Sequence, residues 1–188
     1  MSVETSAPWG EEPTPVLPHL AAEFLLWLWW SASQRACHAD LGEPHGEVDF
    51  WVDDRLAFKA PDEGKAAAVI TGENPAEALE ARAAVAGGKV LRELRLCIRR
   101  EDREFAATLK APQLDLAQVS LPQVVKGDGE EALYDRMFLY EELHGLVAAF
   151  FRQFAEDRVS GEWATARLPA IRAWIAERTG VAGDEEED

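Results

Sequence analysis

From Leu20 to Trp30 the chain is apolar at every position except Glu23, and three tryptophans fall between Trp27 and Trp30. The run is shorter than the roughly 18 apolar residues that cross a bilayer, so protein must shelter these indoles. Apolar positions cover most of a helical circumference. This predicts a helix buried between a sheet and other helices, or lying in a subunit interface. Pro18 suits its first turn, and Ser31 to Gln34 reads as its exit.

The period then changes from helical to two. Val48, Phe50 and Val52 alternate with polar neighbours, Asp53-Asp54 follows, and Leu56 and Phe58 keep the rhythm, which predicts a hairpin turning at the aspartates. Pro61 to Lys65 reads as a turn and Ala66 to Thr71 as the third strand of a meander. Asn74-Pro75-Ala76-Glu77 carries a cap, a first-turn proline and an acid three residues after the cap. It predicts the start of an Ala-rich helix that stops at Gly87-Gly88.

Beyond that stop, Val90, Leu94, Leu96 and Ile98 share one parity and Lys89, Glu93, Arg95 and Arg99 the other, as in a strand with one wet face. Arg92 breaks the parity. Arg100 to Arg103 turns the chain back through Phe105, Ala107 and Leu109, a second hairpin. From Asp128 to about Asp157, Leu133, Met137, Tyr140, Leu143, Val147, Phe150 and Phe154 recur at spacings of three and four, predicting a long helix. Ser160-Gly161 interrupts it. A last helical segment carries Trp163, Leu168, Ile171, Trp174 and Ile175, with Pro169 dividing it or starting its second part. The order predicts an α+β fold. Its antiparallel sheet has about five strands in two hairpin or meander units, packed with the Trp-rich helix and the long C-terminal helices.

Length and charge narrow the classes. With 188 residues the chain can bury a core without disulfides or metal. Residues 1–18 read as a flexible Pro/Glu-rich lead-in without signal-peptide character, 19–178 as the domain, and 179–188 as an acidic tail. Cys37 and Cys97 form no framework. Cys97 is expected as a small core residue and Cys37 as a free thiol near a loop, in a reducing cytoplasm. The formal charge of −16 opposes simple attraction to nucleic acid or anionic lipid. Setting aside the eight acids of the lead-in and tail leaves 27 acids against 19 bases, so the body stays acidic. The tail reads as a solubilising end, or as a decoy competing with DNA for a basic surface.

Bases concentrate only between Lys89 and Lys110. There Lys89, Arg92, Arg95, Arg99, Arg100, Arg103 and Lys110 stand against Glu93, Glu101, Asp102 and Glu104. Lys89, Arg95 and Arg99 share one strand parity and Arg100 and Arg103 flank the turn, so these bases are the candidate contacts to a duplex backbone. The alternative is an ordinary wet face laced with ion pairs.

Other chemistry is weaker. Asp49, Asp53 and Asp54 upstream of Glu63-Gly64-Lys65 imitate a nuclease metal site, but both segments are accounted for as turns. Cys37-His38 with His45 falls short of zinc ligation. His144 reads as a packing residue, and Gly87-Gly88-Lys89 reverses the order of a phosphate loop. No enzymatic activity, metal or cofactor is expected.

Four segments resemble the C-terminal half of the RdgC family of bacterial recombination-associated DNA-binding proteins. They are HLAAEFLLWLWW at 19 to 30, GENPAEALEARAAVAGGKVLRELRLCI at 72 to 98, REFAATLKAPQLDLAQVSLP at 103 to 122 and LYDRMFLYEELHGLVAAFF at 133 to 151. The resemblance spans about 19 to 178 and carries no catalytic signature. It implies a cytoplasmic, nucleoid-associated protein that binds double-stranded DNA with little sequence preference, dimerises into a ring around it and restrains RecA-mediated strand exchange. Family members carry a comparable N-terminal half that helps to form the ring, where this chain has its short lead-in. The second reading is an acidic interaction module that has lost DNA binding and pairs with itself or with a full-length relative. In the first reading the aromatic helices, Phe24 to Trp30 and Met137 to Phe154, build the core and a candidate self-association face, with Trp27, Trp29, Trp30, Phe150 and Phe151 as its residues.

Overall fold

The indole-rich run forms α1 (Leu17–Ser33) in the computed structural model, which describes residues 17–34, 38–60, 68–71, 79–123 and 129–176. The fold is α+β. Among the described residues its six strands are β1 (His38–Asp40), β2 (Glu47–Lys59), β3 (Ala68–Thr71), β4 (Val90–Arg100), β5 (Arg103–Lys110) and β6 (Asp115–Ser120). They form one antiparallel sheet in the order β1-β2-β4-β5-β6, with β3 also on β2. β1 pairs with the beginning of β2 and β3 with its end, so the two short strands share one edge end to end.

The sheet corrects one expectation about its own strands. Asp53-Asp54 is not a hairpin turn, because β2 continues through it for 13 residues. Opposite β4, Val52 faces Leu96 and Leu56 faces Leu94, so β2 spends two extra residues there in a bulge. An even number of extra residues preserves the alternation, and Val48, Phe50, Val52, Leu56 and Phe58 all reach the core. β1 and β6 add to the anticipated strands. β1 has only three residues, and Gln118 at φ 48 breaks the period of two in β6.

The helices also follow their punctuation. α2 (Leu79–Ala86) stops at Gly87-Gly88, where Gly88 takes φ 84, a left-handed conformation suited to glycine. The cap expected at Asn74, the turn at Pro61 to Lys65, Cys37 and the cap at Asp128 lie outside the described residues. α3 (Glu130–Val159) has 30 residues and ends where Ser160 donates its backbone N–H to the Glu156 carbonyl. A π-helical turn, Trp163–Arg167, leads into α4 (Leu168–Ala176), with Pro169 in its first turn.

One face of the sheet carries the core. α1 lies across β2 and β4, and α3 lies beside α1. The Phe24 ring meets Phe151 at 5.2 Å and Phe154 at 5.5 Å, Trp29 stands edge-on to Trp174 at 4.8 Å, and Phe50 meets Phe150 at 4.8 Å. Aromatic pairs of this kind each add about 0.5–1.5 kcal/mol beyond the area they bury. Trp27 also donates its indole N–H to Asp157, fastening α1 to the end of α3. Among the described residues, no helix is long and apolar enough to cross a membrane.

Candidate functional site

The outer sheet face holds part of the basic strip. Antiparallel partners lie on the same face, so Asp49, Arg99 and Glu104 form one rung and Glu93, Lys110 and Asp115 another. Charge alternates along both rungs. Arg99 bonds Glu104 at 3.1 Å while its guanidinium lies 5.1 Å from the Trp51 ring centre. Arg95 meets Asp53 at 3.6 Å and donates to the Gln118 carbonyl, and Glu93 takes both Arg55 at 3.1 Å and Lys110 at 3.6 Å. Among the described residues, the bases on this face are interleaved with acids and form no basic patch.

Arg100 and Arg103 go elsewhere. They pair across the Glu101-Asp102 turn, with the parity of Leu96, Ile98, Phe105 and Ala107, so both reach toward the helices. There both donate to Glu142 of α3, whose side chain is only 8% exposed, Arg100 at 2.8 Å. Arg100 also donates to the Pro44 carbonyl at 3.1 Å, bringing in the 42–46 loop. His45 of that loop lies against Gly145, where a Cβ would fall 2.8 Å from its ring. Burial, with the Arg100 charge second, lowers the His45 pKa. The signal was in the sequence: Arg100 continues the apolar parity of β4, and Arg103 begins that of β5. Arg92 sits at the register shift between Ala57 and Phe58, its Nε buried without a hydrogen-bond partner, and Lys89 is half-buried ahead of β4. The seven bases are therefore not gathered on one surface.

The anticipated self-association residues lie within the chain's own packing. Trp27, Trp29 and Phe150 are buried in the core, and Trp30 and Phe151 are partly buried against it. The reason is steric: α1 has the sheet on one side and α3 and α4 on others. Among the described residues, exposed large apolar side chains gather instead on the first half of α3. Leu133, Tyr134, Met137, Phe138 and Tyr140 are 39–68% exposed, while Leu143, Leu146, Val147, Phe150 and Phe154 of the same helix are buried. Spacing of three and four joins both halves in one stripe. What it lacks is where the cover ends.

The remaining candidates are dispersed. His38 bonds Asp49 at 3.1 Å and faces Glu47, contacts that raise its pKa, the Asp49 hydrogen bond most. Asp53 lies near the Cys97 thiol, which is buried and pushed up to about 12, by desolvation first and the Asp53 charge second. His144 is exposed and touches the Tyr140 ring. Glu63 and Lys65 lie outside the described residues. Among the described residues, no three potential metal ligands converge. No family model, curated protein or solved structure matches this chain.

Proposed function

We propose that this chain is a non-enzymatic accessory protein of DNA recombination or replication, of the RdgC kind, acting in the bacterial cytoplasm by engaging protein rather than by gripping phosphates. Kinship rests on the four segments, which supply α1, the α2–β4 unit, the β5–β6 pair and α3. The mode of action rests on one observation, the uncovered apolar half of α3 on an acidic chain. Exposed apolar surface gathered on one element is what a protein contact uses.

Direct binding to double-stranded DNA by a homodimer, modulating RecA-type strand exchange, is the second reading. One observation favours it. Arg99 and Glu104 are both about half exposed, and such surface ion pairs contribute about 0–1 kcal/mol, so a phosphate would displace Glu104 at small cost.

Electrophoretic retardation of long linear duplex at low and physiological salt separates the two. The first reading expects no retardation at either salt. Salt-sensitive retardation that weakens in the Arg95→Glu, Arg99→Glu variant would overturn it and establish the second.

A further inference from the structure

The first half of α3 has the surface of a helix that packs on another helix. Leu133, Met137, Tyr140 and His144 follow spacings of four, three and four, which place them along one ridge. Tyr134 and Phe138 form the adjoining ridge, and Phe138 is 68% exposed. The first ridge continues through Val147 and Phe151, and there α1 covers it, with Phe24 on Phe151. Toward the N-terminus of α3 the same ridge passes from buried Val147 to exposed Tyr140, Met137 and Leu133. Beside it lies an open, mainly apolar hollow of about 370 Å³ bounded by Leu121, Arg136, Met137, Tyr140 and Glu141.

Charge selects what can fill the seam. Glu130 and Glu141 are exposed beside it, Glu131 and Asp135 are exposed further round the helix, and Arg136 is the one base in this half. A second copy would bring the same acidic rim against itself, on a chain already at −16. A helix whose apolar stripe is flanked by Lys and Arg meets both the seam and its rim. The exposed apolar side chains offer on the order of 500 Å², about one partner's share of a small specific interface.

We infer that the uncovered half of α3 binds a basic amphipathic helix of a partner protein, its apolar residues along Leu133, Met137 and Tyr140 and its cations against Glu130 and Glu141. The inference rests on the protein-engaging reading above and gives that contact its chemistry. Helix-in-groove recognition then supplies the area, and the acidic rim supplies the choice of partner.

The test uses the full chain and two synthetic helical peptides with the same Leu stripe, one flanked by Lys and one by Glu. Fluorescence anisotropy is expected to show binding of the Lys peptide only, weakening several-fold between about 50 and about 500 mM salt. Met137→Glu with Phe138→Glu is expected to weaken it about tenfold or more, and Glu130→Gln with Glu141→Gln to weaken it without unfolding the chain. Circular dichroism of each variant checks the fold. Equal binding of both peptides, no binding of either, or binding indifferent to the α3 changes overturns the inference. So does a dimer of the chain that Met137→Glu dissolves, which would make a second copy the occupant. None of these outcomes depends on retardation of duplex DNA, so the inference and the reading beneath it fail separately.

Discussion

Glu142, near the middle of α3, receives the guanidinium of Arg100 at 2.8 Å from the far end of β4. Arg103 joins from β5, so one nearly buried carboxylate ties the tip of the β4–β5 hairpin to the point where α3 leaves the core. Removing that carboxylate would leave two partly buried cations uncompensated. Glu142→Ala is expected to cost about 3 kcal/mol or more, lowering the unfolding midpoint by roughly 6–12 °C at this chain length. Thermal unfolding followed by circular dichroism measures it. A change within about 0.5 kcal/mol would mean that the clamp contributes only as a surface pair.

Trp29 and Trp30 are neighbours with different surroundings. Trp29 is fully buried between Trp174 and Phe58, whereas Trp30 is partly exposed. Trp29→Ala is expected to destabilise by about 3–5 kcal/mol through the cavity it leaves, and Trp30→Ala by much less. Denaturant titration of both variants checks the contrast, and equal losses would contradict the packing described.

The aromatic burial and the second hairpin were legible in the sequence because each depends on local period. The continuous β2 was not, since Asp53-Asp54 has turn composition and only the shifted register against β4 makes it a bulge. Nearness along the chain groups Arg100 and Arg103 with Arg95 and Arg99, although strand parity separates them. In α3, a spacing of three and four identifies an apolar ridge but carries no information on where its cover stops. The ion pairing of Arg95 with Asp53 depends likewise on a neighbouring strand far away in sequence.

His45 links the same region to pH. Its folded pKa lies below 6.5 because burial, and then the Arg100 charge, disfavour the protonated ring. The unfolded chain therefore binds the proton more readily, so stability is lost as pH falls through 6.5 toward the folded value and is unaffected by this group well above it. His38 has the opposite sign, since its raised pKa favours the folded state at low pH and that contribution disappears as pH rises through the folded value. His45→Gln is expected to flatten the decline between about pH 7.5 and about pH 5.5, and His38→Gln to steepen it. Urea titrations across that range read both, and an unchanged slope in His45→Gln would contradict the assignment.

Cys97 is expected to resist alkylation in the folded chain, because its thiol is buried and pushed up to about 12. Iodoacetamide treatment at mildly alkaline pH, with mass mapping of the peptide that contains Cys97, should show label only after denaturant is added. Ready labelling of the native chain would mean that this part of the sheet opens to solvent.

The apolar side chains in the first half of α3 are surface and add little to the chain's own folding. Chemical denaturation of the full chain carrying Met137→Gln and Phe138→Gln tests this most directly. Stability within about 0.5 kcal/mol of the unsubstituted chain is predicted, as for exposed positions generally. A loss of about 2 kcal/mol or more would show that these side chains pack inside the molecule and would contradict the account.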